Sequence, residues 1–290
     1  MANTISVVVI SRNEGQELKR TVENYDDTLP AGAEIIVIDD GSSDGSAEDV
    51  VPRRGRIKLH RVKNYGVARA RNFGARHAKG DLIVYSDAHL GLDAGWWRPI
   101  VEVLENPKVG GVAPGITGHR GNSRIGYGLT FKDPSLEVRW LRRKPRGAEA
   151  APIIPGCCFA TRRDVIEATG GWDDSQLQRG NVDNEGCVRF WTLGFELMIT
   201  PDTVVRHKFR KRSPYHVGWD AYLFNRLRLA FAHFSPERLG KVVARLRGYP
   251  GFGQALALLA ASDIAQRRRE LDARRIRDDN WYCKRFNIAW

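Results

Sequence analysis

The sequence predicts an α/β protein: a mostly parallel sheet flanked by helices, followed by a helical C-terminal extension. Three observations carry that reading. Over the first ninety residues, short β-branched runs alternate with helix-patterned stretches, as expected for strands joined by crossover helices. The runs end in clusters of Asp, Asn, Ser and Gly, residues that favour turns. From Tyr222 onward the apolar spacing becomes helical, broken at Pro236 and at Gly248 to Gly251.

Ile5 to Ile10 is the first strand, and a helix is expected over Arg12 to Asn24. Glu34 to Asp39 is the second strand and runs into Asp39-Asp40-Gly41-Ser42-Ser43-Asp44, with a further short helix opening over Ser46 to Val50. Lys58 to Val62 is the third strand, Gly66 to Ala78 a helix, and Asp81 to Ser86 a fourth strand that stops at Asp87-Ala88-His89. Ligands of open sheets bind beyond the carboxyl ends of the strands, so the site is expected at these loops. Between Gly95 and Thr200 the pattern loosens, with helices expected over Arg162 to Thr169 and Asp183 to Leu193. This half is expected to hold a second substrate.

Composition narrows the class. With 42% apolar and 28% charged residues over 290 positions, the chain can bury a sizeable core and is no disulfide mini-scaffold, fibre or disordered tail. Its longest uncharged apolar run, Ala255 to Ala261, is far below the roughly 18 to 20 residues of a spanning helix. The N-terminus has no signal-peptide pattern, so a cytoplasmic location is expected. Cys157, Cys158, Cys187 and Cys283 show no zinc spacing and read as reduced fillers. The formal net charge is +12, and residues 206–290 carry that excess, with 19 Lys and Arg against 7 Asp and Glu. No nucleic-acid motif accompanies it, so specific nucleic-acid binding is not expected. Peripheral contact with an anionic membrane, at its inner face, suits such a segment, as does an acidic acceptor.

Asp87 and His89 stand two apart at a strand end, so their side chains share a side where strand geometry persists. A carboxylate and an imidazole facing one way suit a divalent cation, although on this motif alone a loop hydrogen-bonder accounts for the His more readily. His207 is the candidate third ligand and opens the basic segment Lys208 to Arg212. Arg69, Arg71 and Arg210 are candidates to grip a diphosphate, since Arg offers a rigid fork of charged donors. Solvated positions on a surface helix explain Arg69 and Arg71 as readily. Asp39 or Asp40 is expected to hold a base or ribose, the alternative being an acidic turn. No G-x-G-x-x-G follows the first strand, which argues against a nicotinamide enzyme. Gly156 sits where backbone must approach a ligand or pack closely. Asp183 and Glu185 are candidate general bases, or simply acidic residues at a helix start.

Together these blocks resemble glycosyltransferases of the GT-A fold. Val8 to Glu14, Ile36 to Asp44, and Gly156 to Ala160 with Gly170-Gly171-Trp172-Asp173 are similar to family-2 glycosyltransferases. Arg69-Ala70-Arg71, Ser86-Asp87-Ala88-His89 and Arg206 to Tyr215 resemble more particularly the catalytic domain of polypeptide N-acetylgalactosaminyltransferases. The resemblance implies Mn2+, or Mg2+ in its place, on Asp87, His89 and His207, and a UDP-sugar donor transferred to an acceptor hydroxyl. It places Ser11, Arg12, Asn13, Glu14, Asp39, Asp40, Arg69, Arg71, Ala88 and Gly156 at the donor. Arg210 is expected to assist the leaving diphosphate and Tyr215 to belong to a lid. A catalytic domain is expected over 1–215, divided into a nucleotide half (1–95) and an acceptor half with lid (96–215), with a basic helical extension over 216–290, although the resemblance itself extends to the end of the chain. Two departures stand out. The animal enzymes carry a membrane anchor and a lectin domain without counterpart here, so a mucin-type role is not expected. Their Glu-Asn-x-Glu is replaced by Val182-Asp183-Asn184-Glu185, which is similar to the Glu-Asp motif of inverting family-2 enzymes. A nucleotidyltransferase on a related sheet and a non-catalytic lipid- or nucleic-acid-binding protein are the competing readings.

Overall fold

The computed structural model describes residues 4–50, 55–119, 124–210 and 213–290; of the basic segment, Lys211 and Arg212 lie outside the described residues. In chain order the strands are β1 (Ile5–Ser11), β2 (Glu34–Asp40), β3 (Ile57–Val62), β4 (Leu82–Asp87), β5 (Leu90–Gly91), β6 (Val109–Gly118), β7 (Leu129–Phe131), β8 (Val138–Trp140), β9 (Glu149–Ala150), β10 (Cys158–Arg162) and β11 (Glu196–His207). The helices are α1 (Gln16–Thr28), α2 (Gly66–His77), α3 (Arg98–Leu104), α4 (Arg163–Thr169), α5 (Val182–Thr192), α6 (Trp219–His233), α7 (Pro236–Leu246), α8 (Phe252–Ala260), α9 (Ile264–Arg274) and α10 (Asp279–Arg285).

The main sheet runs β3-β2-β1-β4-β10-β6-β11-β5, with β9 on β11 and a separate β7-β8 hairpin. β1, β2, β3 and β4 are mutually parallel, β10 runs antiparallel beside β4 and β6, and β11 is parallel to β6. Strand residues alternate between two cores, as a period of two requires. Val8, Ile36, Ile38, Ile83 and Tyr85 join one cluster, and Val7, Val9, Ile35, Val37 and Val84 the other. Helices α1 and α3 cover the second face, while α2, α4, α5 and α6 cover the first. A buried sheet of this kind needs near-continuous Val and Ile, which β1 and β2 supply.

Two expected elements differ. α1 starts at Gln16 rather than Arg12, because Asn13 and Gly15 take left-handed backbone (φ 54° and 56°) that a helix excludes. The freed segment clasps the loop after β2: Asn13 N–H donates to Ser42 Oγ (2.9 Å), Ser43 N–H to Asn13 Oδ1 (2.8 Å) and Gly15 N–H to Asp44 Oδ2 (2.9 Å). Ser46 to Val50 forms turns instead of a helix, held by Asp44 Oδ1, which accepts from Ser46 N–H (3.0 Å) and its hydroxyl (2.6 Å).

The C-terminal helices share the first core. Leu223, Leu227 and Ala230 of α6 belong with Phe159, Phe190 and Trp191. Much of the basic excess of this segment is turned inward. Arg228 donates to both Asp173 oxygens (2.6 and 2.9 Å) and to Asp263 (2.7 Å). Arg268 and Arg275 donate to the last carbonyls of α6, at Phe231 (2.7 Å), Ala232 (3.0 Å) and His233 (3.1 Å), groups a helix end otherwise leaves unsatisfied. These cations serve the fold, so the net charge overstates what faces a partner. All four cysteines are free thiols.

Candidate functional site

Parallel pairing aligns three strand ends: Ile10 faces Asp87 across β1 and β4, and Ser11 faces Asp39 across β1 and β2. β11 delivers His207 beside them, opposite Leu90 of β5 and Gly118 of β6. A cavity of about 720 Å³ opens over these ends, lined among others by Ser11, Arg12, Asp40, Asp87, Asp183 and His207.

At its floor Asp87, His89 and His207 converge. His207 Nε2 lies 3.2 Å from both Asp87 Oδ2 and His89 Nε2, and His89 Nε2 lies 3.8 Å from Asp87 Oδ2. The point equidistant from these three atoms is about 2 Å from each, the bond length of imidazole nitrogen or carboxylate oxygen to a small divalent cation. Glu14 Oε2 accepts from His89 Nδ1 at 3.0 Å, which turns the Nε2 lone pair toward that point. Arg210 also donates to Glu14. Protein surrounds Asp87, yet 38% of its side chain faces the cavity. Burial pushes its carboxyl up, but the His207 hydrogen bond and the charges of His89, His207 and Arg71 outweigh this and hold it well below the usual carboxylate range. The donor set, two nitrogens and one ionised oxygen, therefore fits a divalent metal.

The opposite wall is set by a close approach. An added Cβ on Gly156 would stand 1.9 Å from Asp183 Oδ1, so only glycine admits that carboxylate. Arg71, 3% exposed, donates to Asp183 Oδ1 (2.5 Å) and to Gly156 O (2.9 Å) while stacked 4.4 Å over Trp172. Both terminal nitrogens are thus engaged, and Arg71 positions Asp183 instead of gripping a diphosphate. Gly156→Ala is expected to lower stability by about 1–3 kcal/mol and displace Asp183; a melting curve superimposable on wild type would show that the carboxylate is not fixed there.

Several expected site residues sit elsewhere. Glu185 is fully buried, because α5 turns it toward the core, where it pairs with Arg189 (2.9 Å) and His233 (3.0 Å). It is not a general base. Asp39 is spent on the turn, accepting from Ser42 N–H (3.1 Å) and its hydroxyl (2.5 Å), whereas Asp40 lines the cavity. Burial raises the Asp40 carboxyl despite N–H groups of Tyr65 (2.6 Å) and Gly66 (2.9 Å). Asn13 is occupied by the Ser43 clasp, and Ala88 packs into the second core. Arg69 reaches the cavity and donates to Asp174 O (2.7 Å). Ser11, Arg12, Glu14, Arg210 and Tyr215 line the cavity, and Arg12 stacks 4.8 Å over the Tyr215 ring. Gln176 and Arg179 went unrecognised. Gln176 lines the cavity buried, with neither amide atom partnered among the described residues. The only sequence signal for Arg179 is a cation beside Gly180-Asn181 ahead of α5.

Residues 6–170 match glycosyl transferase family 2. The chain belongs to glycosyl transferase family 2. This family-2 chain is 32% identical over 254 residues to polypeptide N-acetylgalactosaminyltransferase 11 of Xenopus tropicalis, covering 78% of this chain and 42% of that protein. It is 29% identical over 250 residues to polypeptide N-acetylgalactosaminyltransferase 15 of Homo sapiens, covering 78% and 39%. The chain thus spans about two fifths of the length of these relatives. Its fold is GT-A: it superposes on GalNAc-T7, crystallised with UDP, GalNAc and Mn2+, with a TM-score of 0.77 at 23% identity, covering 98% of this chain and 57% of that one. A second match is the Pyrobaculum calidifontis mannosyltransferase PcManGT with GDP-Man and Mn2+, TM-score 0.56 at 21% identity, covering 93% and 79%.

Proposed function

We propose that this family-2 chain transfers a hexose or N-acetylhexosamine from a UDP-sugar to an acceptor hydroxyl, with a divalent cation, Mn2+ or Mg2+, held by Asp87, His89 and His207. The carrying observation is the convergence of those three ligand atoms at the cavity floor, oriented by Glu14. The UDP, GalNAc and Mn2+ of the GalNAc-T7 structure and the GDP-Man and Mn2+ of the PcManGT structure support the choice of cofactor and donor class. When bound, the cation supplies positive charge against the departing diphosphate.

The chain's own residues do the rest. Asp40 and Ser11, beside the ends of β1 and β2, hold the nucleoside. Arg210, oriented by Glu14, faces the diphosphate and stabilises charge that develops on it. Asp183, fixed by Arg71 at the opposite wall, orients the sugar or the acceptor hydroxyl. Tyr215, backed by Arg12, closes the cavity from the β11–α6 connection and excludes water. We assign catalysis to residues 1–215. Among the described residues no helix is long and apolar enough to cross a membrane; for the basic segment 216–290 we propose peripheral contact with an anionic membrane, at its cytoplasmic face.

Release of UDP or GDP from a panel of UDP- and GDP-sugars, assayed with EDTA and after Mn2+ is restored, tests the reading. Turnover is expected to vanish with EDTA and return with Mn2+; unchanged turnover in EDTA overturns the metal assignment. Pyrophosphate released when a nucleoside triphosphate and a sugar 1-phosphate are supplied, with no nucleoside diphosphate released from the sugar nucleotides, would mark a nucleotidyltransferase. Anomer-resolved NMR of the product sets the role of Asp183: inversion makes it the proton acceptor, and retention restricts it to orientation.

A further inference from the structure

Beside the main cavity lies a second, open chamber of about 840 Å³. Ser213, Pro214, Tyr215 and Tyr222 line both, so the two adjoin at the Tyr215 side chain. The remainder of the chamber is formed by His216, Val217, Trp219 and Arg226.

Two features of its wall are unusual for surface that meets only water. The first is aromatic. Trp219 is 56% exposed and stands 6.3 Å from Tyr222 and 6.1 Å from Tyr249, so a ring that normally buries its faces is held out at the chamber edge. The second is an uncompensated charge. Arg226 is only 9% exposed, and its Nη1 is buried without a partner. Its Nε reaches only the Asn181 side-chain oxygen (3.3 Å), with that amide turned to satisfy its neighbours. No carboxylate pairs with it among the described residues, and none of the residues lining the chamber carries one. A cation taken out of water costs several kcal/mol unless an anion or a full set of acceptors offsets it. Elsewhere in this chain buried arginines are matched: Arg71 has Asp183, Arg189 has Glu185 and Arg228 has Asp173. Of the four arginines buried among the described residues, Arg226 is the one without a carboxylate, and it borders a chamber open to ligand.

We infer that this chamber is the acceptor subsite and that it takes an anionic sugar, its carboxylate or phosphate held by Arg226 and the apolar face of its ring covered by Trp219. The proposal rests on the glycosyl-transfer reading and names its acceptor class. A planar guanidinium matches either anion with two parallel hydrogen bonds. The ring covers apolar area on Trp219 that is otherwise hydrated. The acceptor hydroxyl then enters the main cavity past Tyr215 and Tyr222.

Calorimetry on the full chain saturated with UDP and Mn2+, so that the main cavity is filled, tests this with two matched pairs of probes. Methyl β-glucuronide against methyl β-glucoside reads the carboxylate, and glucose 6-phosphate against glucose reads the phosphate. One anionic member is expected to bind at least about tenfold more tightly than its neutral partner, and Arg226→Gln to remove that margin, as loss of a charge-assisted hydrogen bond would. Should Arg226→Gln fail to fold, Trp219→Ala is expected to weaken both members of the preferred pair about equally. Equal binding of charged and neutral members to wild type, or no binding of any, overturns the proposal. UDP binding in the first titration reads the glycosyltransferase assignment separately: a chain that binds UDP but favours no anion loses only its acceptor class.

Discussion

Asp87→Ala and His207→Ala are each expected to lower UDP-sugar turnover by roughly a thousandfold or more, since a cation opposing phosphoryl charge is worth several kcal/mol and each 1.4 kcal/mol is about tenfold. The two residues belong to distant segments, β4 and β11, and their ligand atoms meet at 3.2 Å. Neither anchors the core. Asp87 faces the cavity with 38% of its side chain, and its ionised state is maintained by the two imidazoles and Arg71 against the cost of burial. Thermal stability of both variants is therefore expected to stay close to that of wild type, with Mn2+-dependent UDP binding lost in calorimetry. Turnover within threefold of wild type in His207→Ala would separate His207 from the reaction and with it the three-ligand arrangement.

The second large effect falls on stability. Glu185→Ala is expected to destabilise the chain by about 3–5 kcal/mol, the cost of stranding a buried cation. On chains of this size that is a fall in melting temperature of roughly 10 °C. Arg189 also donates to Thr169 O (2.7 Å) and Gly171 O (2.5 Å), so the pair ties α5 to the end of α4 and the turn before Trp172. His233 of α6 donates to the same carboxylate, and burial lowers the affinity of its imidazole for a proton. Arg189, His233 and Arg267 together hold Glu185 ionised against burial. Asp183→Asn gives a different profile: turnover is expected to be lost, while the retained Oδ1 acceptor for the buried Arg71 keeps the stability loss smaller than that of Glu185→Ala. If instead Glu185→Ala melted like wild type and lost only activity, the assignment of Glu185 to the core would be wrong.

These two carboxylates show where sequence reasoning runs out. They lie two apart on α5, about 200° around a helix, so one faces the core whenever the other faces the cavity. Which is which depends on how α5 sits against Trp172, α6 and Gly156, and no local pattern reports that. The spacing of Glu185 and Arg189 does mark a helical ion pair, a signal for a structural role that was available. The helix misplaced at Arg12 has a similar origin. Its residues are compatible with a helix, and contacts to Ser42, Ser43 and Asp44 some thirty positions away hold them in a loop. Net charge along the tail is equally blind to packing, since Arg228, Arg268 and Arg275 are spoken for by groups within the fold.

The chain by itself determined the four N-terminal strands and the chemical groups that end them, because alternation, β-branching and turn residues act over a few positions and survive without tertiary context. It also supplied the carboxylate and imidazoles of the floor, whose residue types in that order are informative before any distance is known. Only the tertiary structure decided which charged groups reach ligand and which offset one another. That choice is made by desolvation, which depends on what packs around a side chain from every direction, and for Glu185, Arg71 and Arg226 those neighbours come from segments far apart in the chain.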